Sequence, residues 1–282
     1  MKKSIAGMMT AIAVLLMAGH AEADLIANWK MDEGSGTTVG DSVNSYDGTF
    51  VGSPTWSTNV APGIGSTRAL DFDPAGDWVN LTSHIDNLEM AGSFTLATWV
   101  NVDAVPTGSG AAEIMGVYQT ASPFETNYLL RISKSGSASS GQVAFLSRDD
   151  SSDTVSLLDP TAATLDTWIH YAVTFDAATG LATMYRDGVS VASGTMPNAP
   201  AVFNLAQTRA SLAGDGGSGQ SFNGLLDDAA LWNQVLTVDE INNARTMGAA
   251  NAIAVVPEPS TFALAALGFT SLGLFRRRRT NR

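Results

Sequence analysis

The sequence predicts an all-β domain, and three observations support this fold class. From about residue 25 to residue 231, short apolar or alternating runs are separated by clusters of Gly, Asn, Asp, Ser and Pro, which is typical of many short antiparallel strands. The pair Asp187-Gly188 stands between two alternating runs and signals a tight hairpin turn. Helix signals are nearly absent before the capping box Thr237-Val238-Asp239-Glu240, which predicts one short C-terminal helix ending near Gly248.

Two stretches show the predicted strands in most detail. In residues 93–102 the apolar side chains alternate, but Trp99 lies on the opposite face, so both faces of this strand are expected to be covered. Residues 168–175 alternate in the same way and lead through a loop ending in Gly180 to a second strand over 181–186. The turn at Asp187-Gly188 then returns the chain, so these strands are expected to form a three-stranded meander.

The N-terminal segment has the layout of a secretory signal. Lys2 and Lys3 precede an apolar run over residues 5–18, and Ala21-Glu22-Ala23 provides the small-x-small site at which signal peptidase cuts. The mature chain is therefore expected to begin at Asp24. An uncleaved signal anchor is the alternative, but the apolar run is short for one.

The C-terminal segment has three parts in a fixed order. Val256-Pro257-Glu258-Pro259 is followed by an uncharged run over residues 260–275 and then by four consecutive arginines at 276–279. A run of this length makes roughly 24 Å of helix, slightly less than a full membrane span of ~20 residues requires. The arginines would remain on the cytoplasmic side, so the tail is expected to hold the protein in the inner membrane before processing.

This order of motif, apolar run and arginine cluster resembles the PEP-CTERM sorting signal of exported Gram-negative proteins. The resemblance implies that an exosortase cuts the tail near Val256 to Pro259 and that the protein reaches the cell envelope surface or the medium. A plain C-terminal anchor is the alternative. The expected layout is a signal peptide over 1–23, a domain over 24–248, a linker over 249–255 and a sorting segment over 256–282.

Charge and composition exclude several classes of function. Residues 24–255 contain 25 acidic and 8 basic residues, a net charge of −17, which repels nucleic acid and anionic lipid. The chain has no cysteine, which excludes disulfides, thiol catalysis and thiolate metal sites. In an oxidising compartment the fold must therefore depend on its core or on a hard cation.

Five stretches, in this order along the chain, resemble the laminin-G/pentraxin type of concanavalin A-like domain. The resemblance implies a jelly roll, in which two antiparallel sheets pack face to face and Gly- and Asp-rich turns lie at the rims. This sandwich would carry one short C-terminal helix and would be flanked by the signal and sorting helices. The stretches are 29–36 with Asp41, Asn44 and Gly48; 69–73 with 78–79; 93–96 with 99–100; 167–175 with 185–188; and 222–228 with 231–233, Leu236 and 240–241.

The resemblance also implies a structural calcium site near the first loop. Asp41 and Asn44 would meet Asp227 or Asp228 from the closing strand, since the N- and C-terminal strands of such jelly rolls lie side by side. Strict alternation places Asp227 and Asp228 on opposite faces, so at most one of them can point inward as a ligand. The alternative is that Asp41 and Asn44 are ordinary turn formers.

Two of the six tryptophans are candidates for binding a sugar ring. Trp56 and Trp78 lie near predicted loops, where an exposed ring could stack on a glycan, whereas the other four fall inside predicted strands at packing positions. The glycosidase signature Glu-x-Asp-x-x-Glu does not occur, and neither do Gly-x-Ser-x-Gly or His-Glu-x-x-His.

The sequence therefore predicts an exported, non-catalytic surface or extracellular-matrix protein that binds a polysaccharide or another envelope component. Two alternatives stay open at this point. One is a purely structural matrix protein without a specific ligand. The other is a polysaccharide-degrading enzyme whose carboxylates come from distant strands and leave no local motif.

Overall fold

The computed structural model describes residues 24–74, 76–107, 110–119, 126–149, 153–198, 200, 208–214 and 221–253. The predicted signal peptide and sorting segment, with their processing residues Ala21, Ala23, Val256, Pro257, Glu258 and Pro259, lie outside these ranges. Within the described ranges, no helix has the length and apolar character needed to cross a membrane.

The described residues form sixteen strands and a few short helical segments. The strands are β1 (Leu25–Trp29), β2 (Thr38–Val39), β3 (Gly48–Val51), β4 (Thr55–Ser57), β5 (Ala69–Phe72), β6 (Trp78–Asn80), β7 (Phe94–Val102), β8 (Ala112–Gln119), β9 (Thr126–Ile132), β10 (Val143–Arg148), β11 (Thr154–Leu158), β12 (Trp168–Asp176), β13 (Leu181–Arg186), β14 (Val189–Thr195), β15 (Thr208–Leu212) and β16 (Gly224–Trp232). The helices are α1 (Ile85–Leu88) and α2 (Val238–Met247), with 3₁₀ turns at Thr82–His84 and Ala249–Asn251.

The strands form two eight-stranded sheets. In the first sheet the order is β14-β13-β12-β7-β16-β5-β4, with β1 also paired to β16, and in the second it is β11-β10-β9-β8-β15-β6-β3-β2. Neighbouring strands pair antiparallel in both sheets. One large apolar cluster draws its side chains from both sheets, which confirms the predicted two-sheet sandwich.

Strand β7 is central in the first sheet, and all nine of its residues are buried. Phe94, Leu96 and Val100 face the core between the sheets. Ala97, on the outer face, belongs to a second apolar cluster with Ile241 of α2. The prediction that both faces of this strand are covered is therefore confirmed.

Helix α2 begins at the predicted capping box. The Thr237 hydroxyl accepts the backbone N–H of Glu240, and the Glu240 carboxylate accepts the backbone N–H of Thr237. The small side chains of Ala97, Ala172 and Ala230 share the cluster that the helix covers. Three neighbouring strands thus provide a flat patch on which one short helix can lie.

Residues 249–252 belong to the folded domain, and this corrects the predicted linker over 249–255. Ala249 and Ala252 are buried in the cluster under α2, and the backbone N–H of Ala249 donates to Asp228 Oδ2 at 2.7 Å. The small side chains of Ala249 and Ala252 allow this segment to pack against the sheet.

The predicted meander is also present. Strand β12 pairs with β13, and β13 pairs with β14 across the Asp187-Gly188 turn. Both turn residues have positive φ, 50° and 79°, as a type I′ turn requires. The sequence signal and the observed hairpin agree.

Candidate functional site

A cleft of about 590 Å³ opens at one end of the sandwich. At this end β5 and β7 finish and β16 begins, so residues distant in sequence meet at one rim. The cleft is lined by Gly52, Ser53, Thr55, Asp71, Phe72, Asp73, Asp77, Asp103 and Asn223. Four of these nine residues are aspartates, and none is basic.

The register of the first sheet explains how the acidic side chains come together. Leu225 of β16 pairs with Asp71 of β5 and with Asn101 of β7. The residues that alternate with them, such as Phe72 and Val102, face the core, so Asp71 faces outward. Two residues further along, at the same end of the sheet, the same alternation places Asp73, Asn223 and Asp103 side by side.

Asp77 holds one wall of the cleft in place. Its Oδ1 accepts the backbone N–H of Ser53 at 2.7 Å, and its Oδ2 accepts the backbone N–H of Asp73 at 3.2 Å. Gly52 has a φ of 79°, and a Cβ at this position would collide with Asp77 Oδ1. Asp77 therefore organises the loops around the cleft.

Gly224 fixes the opposite wall. Its φ is 144°, and a Cβ at this position would collide with the Asn101 carbonyl oxygen. The close approach of the two backbones requires glycine here. Next to it, the backbone N–H of Asp103 donates to the Asn223 carbonyl oxygen at 3.1 Å, which joins the end of β7 to the start of β16.

The carboxylates around the cleft are close enough to raise one another's pKa. Burial raises the pKa of Asp71, and the charges of Asp73 and Asp77 raise it further. Burial likewise raises the pKa of Asp103, with added contributions from Asp71 and Asp166. Because no basic residue belongs to the lining, the cleft is a strongly negative site that favours positive or hydrogen-bond-donating ligands.

A smaller pocket of about 200 Å³, here called the annex, continues the cleft on the far side of Asn223. Its lining is mostly apolar: Pro74, Ala104, Val105, Pro106, Thr107, Ser221 and Asn223. Ser221 is 4% exposed, and its hydroxyl has no hydrogen-bond partner among the described residues. The annex thus combines an apolar wall with one unused hydroxyl group.

The residues predicted to bind calcium have a different role. Both carboxylate oxygens of Asp41 accept backbone N–H groups, Oδ1 from Asn28 and Val43 and Oδ2 from Asn44 and Tyr46. The Asn44 side chain donates to the Ile26 carbonyl oxygen at 2.9 Å. A carboxylate surrounded by N–H donors stabilises its own loop and is poorly placed to bind a cation.

Asp227 and Asp228 lie on the same face of the sheet, and this corrects the prediction of opposite faces. Strand β16 bulges between Asp227 and Ala230, and Asp228 has a φ of 49°. Leu226 and Ala229, on either side of the pair, both face the core, so the two aspartates point outward. Neither is an inward ligand, because the extra residue of the bulge breaks the alternation.

Each of these aspartates is also engaged by donors. Asp227 accepts the Ala61 N–H at 3.0 Å and the Ser66 hydroxyl at 3.0 Å. Asp228 accepts the Asn28 side-chain amide and the Ala249 N–H. Asn28 of β1 connects the closing strand to the first loop. Its side-chain amide donates to Asp228, and its backbone N–H donates to Asp41.

Asp41, Asn44, Asp227 and Asp228 are thus all engaged in hydrogen bonds within the protein. Within the described ranges, no three His, Asp or Glu side chains form a group that could hold a metal ion. Calcium binding by the domain stays a prediction without assigned ligands.

The two candidate tryptophans are less open than predicted. Trp78 is 4% exposed, and the Arg209 guanidinium lies 5.6 Å from the centroid of its ring. The expectation of an exposed Trp78 is wrong, because β6 is covered on both sides. Trp56 is half-buried, its ring packs 5.5 Å from that of Phe50, and its Nε1 donates to the Gly36 carbonyl oxygen. Trp56 keeps a partly accessible edge.

Sequence reasoning missed the cleft residues. The spacing of Asp71, in β5, and Asp73, directly after it, was a usable signal, because two acidic residues two apart in extended chain share a face. No such sequence signal exists for Asp103, Ser221 and Asn223, because only the sheet register brings them to the same rim.

Comparison with known families gives two matches. A model described as the concanavalin A-like lectin/glucanases superfamily, of laminin-G type, matches residues 73–242. A model of the PEP-CTERM protein-sorting motif matches residues 255–279. The comparison with curated proteins gives no match.

Several solved structures share the fold. Domain 4 of AbnA, an extracellular GH43 arabinanase from Geobacillus stearothermophilus solved with arabinotriose, is 18% identical with a TM-score of 0.56, over 78% of this chain and 98% of that one. The binding domain of Paraclostridial Mosquitocidal Protein 1 is 11% identical with a TM-score of 0.58, over 79% of this chain and 52% of that one. The receptor-binding domain of botulinum neurotoxin C/D mosaic serotype is 16% identical with a TM-score of 0.53, over 78% and 50%.

Proposed function

The chain belongs to the concanavalin A-like lectin/glucanases superfamily, and from this premise we propose that its domain binds carbohydrate in the acidic cleft without cleaving it. The sorting motif gives the compartment. It marks the protein for export across the inner membrane and for sorting to the cell envelope surface or the extracellular space.

The observation that carries the proposal is the composition of the cleft. Asp71 and Asp103 provide carboxylate acceptors, while Ser53, Thr55 and Asn223 provide hydroxyl and amide groups along the same walls. Sugars present many hydroxyl donors, and hydrogen bonds to ionised acceptors are the stronger kind. A concave rim with several polar groups and an adjoining apolar annex is the usual form of a small-ligand site.

The structural neighbours add limited support. AbnA domain 4 was solved in complex with arabinotriose. At 18% identity, the likeness between that domain and this chain extends to the fold alone. Binding by the present domain is inferred from its own cleft.

The non-catalytic part of the proposal rests on how the carboxylates are arranged. Asp71 and Asp103 lie on either side of β16 and are offset by two residues along it, so their backbones are about 12 Å apart. The carboxyl groups are about 5 Å apart in a retaining glycosidase and about 6.5 to 9.5 Å apart in an inverting one, both less than this backbone separation. Asp77, the most enclosed of the four, already accepts two backbone N–H groups.

A polysaccharide-degrading enzyme is the second candidate, and one observation favours it. Asp71 and Asp103 both have a raised pKa in a cleft, which is a common property of catalytic acids. Incubating the pure protein with polysaccharides and assaying new reducing ends separates the two candidates. Product formation that Asp103→Asn abolishes would establish the enzyme.

A glycan array of the mature protein tests the binding proposal itself. We expect at least one class of glycan to bind, and we expect Asp71→Asn and Asp103→Asn to weaken that signal while Asp239→Asn, outside the cleft lining, does not. An array without any bound glycan would favour the purely structural alternative.

The processing by signal peptidase and an exosortase has its own test. Intact-mass analysis of the protein from a host that has the sorting enzyme should show a chain that begins at Asp24 and ends near Val256 to Pro259. Recovery of chains that all keep the four arginines would leave a plain membrane anchor.

A further inference from the structure

We propose that the ligand of the cleft is an amine-bearing glycan, of the glucosamine-oligomer class, whose successive ammonium groups bind Asp71 and Asp103 separately. This inference rests on the proposed carbohydrate binding and specifies the chemistry of the ligand. It follows from the charge of the cleft, from the spacing of its carboxylates and from the unused hydroxyl in the annex.

The negative charge of the cleft walls favours a positively charged ligand. Among the described residues that line the cleft and the annex, none is Lys, Arg or His. An acidic glycan would be repelled by the carboxylates, and a neutral glycan would leave their mutual repulsion in place. A ligand with an ammonium group relieves that repulsion and forms charge-assisted hydrogen bonds.

The spacing of the carboxylates argues for an extended ligand over a single metal ion. Within the described ranges, no three acidic or His side chains come together closely enough to share a cation. The row of Asp73, Asn223 and Asp103 instead crosses three strands, which separates its ends by about 10 Å. That distance is comparable to the length of a disaccharide, so a chain molecule can contact both ends.

The annex provides an independent indication of a ligand. Ser221 is 4% exposed, and its hydroxyl has no partner among the described residues, although a buried hydroxyl normally has one. It lines the annex beside the apolar side chains of Val105 and Pro106. A sugar ring adjacent to the amine-bearing unit would place its apolar face on these two residues and one of its hydroxyl groups on Ser221.

A basic peptide is the other cationic polymer to consider. The cleft favours a glycan because Ser53, Thr55 and Asn223 also line it, and these groups match sugar hydroxyls rather than the long methylene stem of a lysine. The superfamily to which the chain belongs agrees with this choice.

Titration calorimetry on the mature protein tests the inference. The probes are a glucosamine tetramer, the neutral glucose tetramer with the same linkage, a galacturonate tetramer and tetralysine, each at mildly acidic pH and in the presence and absence of a chelator. We expect the glucosamine tetramer to bind at least about tenfold more tightly than the glucose tetramer, because one charge-assisted contact alone accounts for roughly that factor. Added salt should reduce this preference.

Single substitutions in the cleft and the annex test which residues contact the ligand. Asp103→Asn and Asp71→Asn should each reduce the preference for the amine, and Ser221→Ala should weaken both tetramers similarly. Asp239→Asn, an exposed position outside the cleft, should leave the preference unchanged. Melting curves recorded for each variant separate a lost contact from an unfolded domain.

The possible outcomes separate this inference from the proposed function. Equal binding of the glucosamine and glucose tetramers would overturn the inference and leave carbohydrate binding intact. Tetralysine that binds as tightly as the glucosamine tetramer would overturn it in favour of a peptide, and binding that a chelator abolishes would overturn it in favour of a metal-bridged ligand. Absence of binding to any glycan would overturn the proposed function together with the inference.

Discussion

The backbone N–H of Asp103 donates to the carbonyl oxygen of Asn223 at 3.1 Å, and this contact joins the end of β7 to the beginning of β16. It places Asp103 at the rim where Asp71 and Asp73 leave β5. Because the three elements are far apart in sequence, the acidic cleft exists only when the first sheet is complete. Binding in the cleft should therefore depend on the integrity of this sheet as well as on the carboxylates.

Asp227 should make a large contribution to the pH dependence of stability. Burial raises the pKa of Asp227 to about 7 from an ordinary value of 3.8, so the folded state binds its proton more tightly than the unfolded state does. Stability from this group is full below about pH 4 and is lost as the pH rises towards about 7.

Asp227→Asn is the matched variant for this prediction. Its amide oxygen can accept the Ala61 N–H, and its amide nitrogen can donate to the Ser66 hydroxyl, so the neutral form is imitated. We expect the variant to melt at a higher temperature than the native protein at pH 8 and at a similar temperature at pH 4. A difference in melting temperature between the variant and the native protein that stays the same from pH 4 to pH 8 would contradict the assignment.

Gly224→Ala should destabilise the domain and damage the cleft, because the new Cβ would collide with the Asn101 carbonyl oxygen. The backbone must then shift, at a cost of about 2 kcal/mol or more in the free energy of unfolding. Gly136→Ala is the control, since Gly136 also has a positive φ, 76°, but a Cβ there would meet no other atom within 4 Å. Denaturant unfolding measures the loss in the free energy of unfolding for both variants. Equal losses would show that the positive φ, and not the collision with Asn101, causes the effect at Gly224.

Trp78 and Trp56 should behave differently. Trp78 is nearly fully buried, so Trp78→Ala should lower the free energy of unfolding by about 3 to 5 kcal/mol. Trp56 is only half-buried, and Trp56→Ala should cost clearly less. Chemical denaturation of the two variants checks the order, and a larger loss at Trp56 would show that the packing of β4 and β6 is misassigned.

Asp41→Ala should destabilise the first loop in the same way with and without calcium. The substitution leaves the backbone N–H groups of Asn28, Val43, Asn44 and Tyr46 without their acceptor, at a cost of about 1 to 3 kcal/mol for each group that water cannot reach. Melting curves with added calcium and with a chelator test this. A calcium-dependent gain in melting temperature that is lost in Asp41→Ala would restore the predicted calcium site.

The fold could be predicted from sequence because its signals are local. The Asp187-Gly188 turn and the Thr237 capping box determine their own geometry within four residues, and the structure has both. The candidate site could not be predicted in the same way. Asp71, Asp103 and Asn223 become neighbours only through strand register, and alternation failed at Asp227 and Asp228 because one extra residue in β16 forms a bulge.

The central claim, that the acidic cleft binds carbohydrate, is tested most directly by titrating the mature protein with oligosaccharides selected from a glycan array. The native protein and the Asp239→Asn control should bind with equal affinity, and the Asp71→Asn/Asp103→Asn double variant should bind at least about tenfold more weakly while melting cooperatively. Unchanged affinity in a folded double variant would contradict the claim and place the ligand elsewhere on the sandwich.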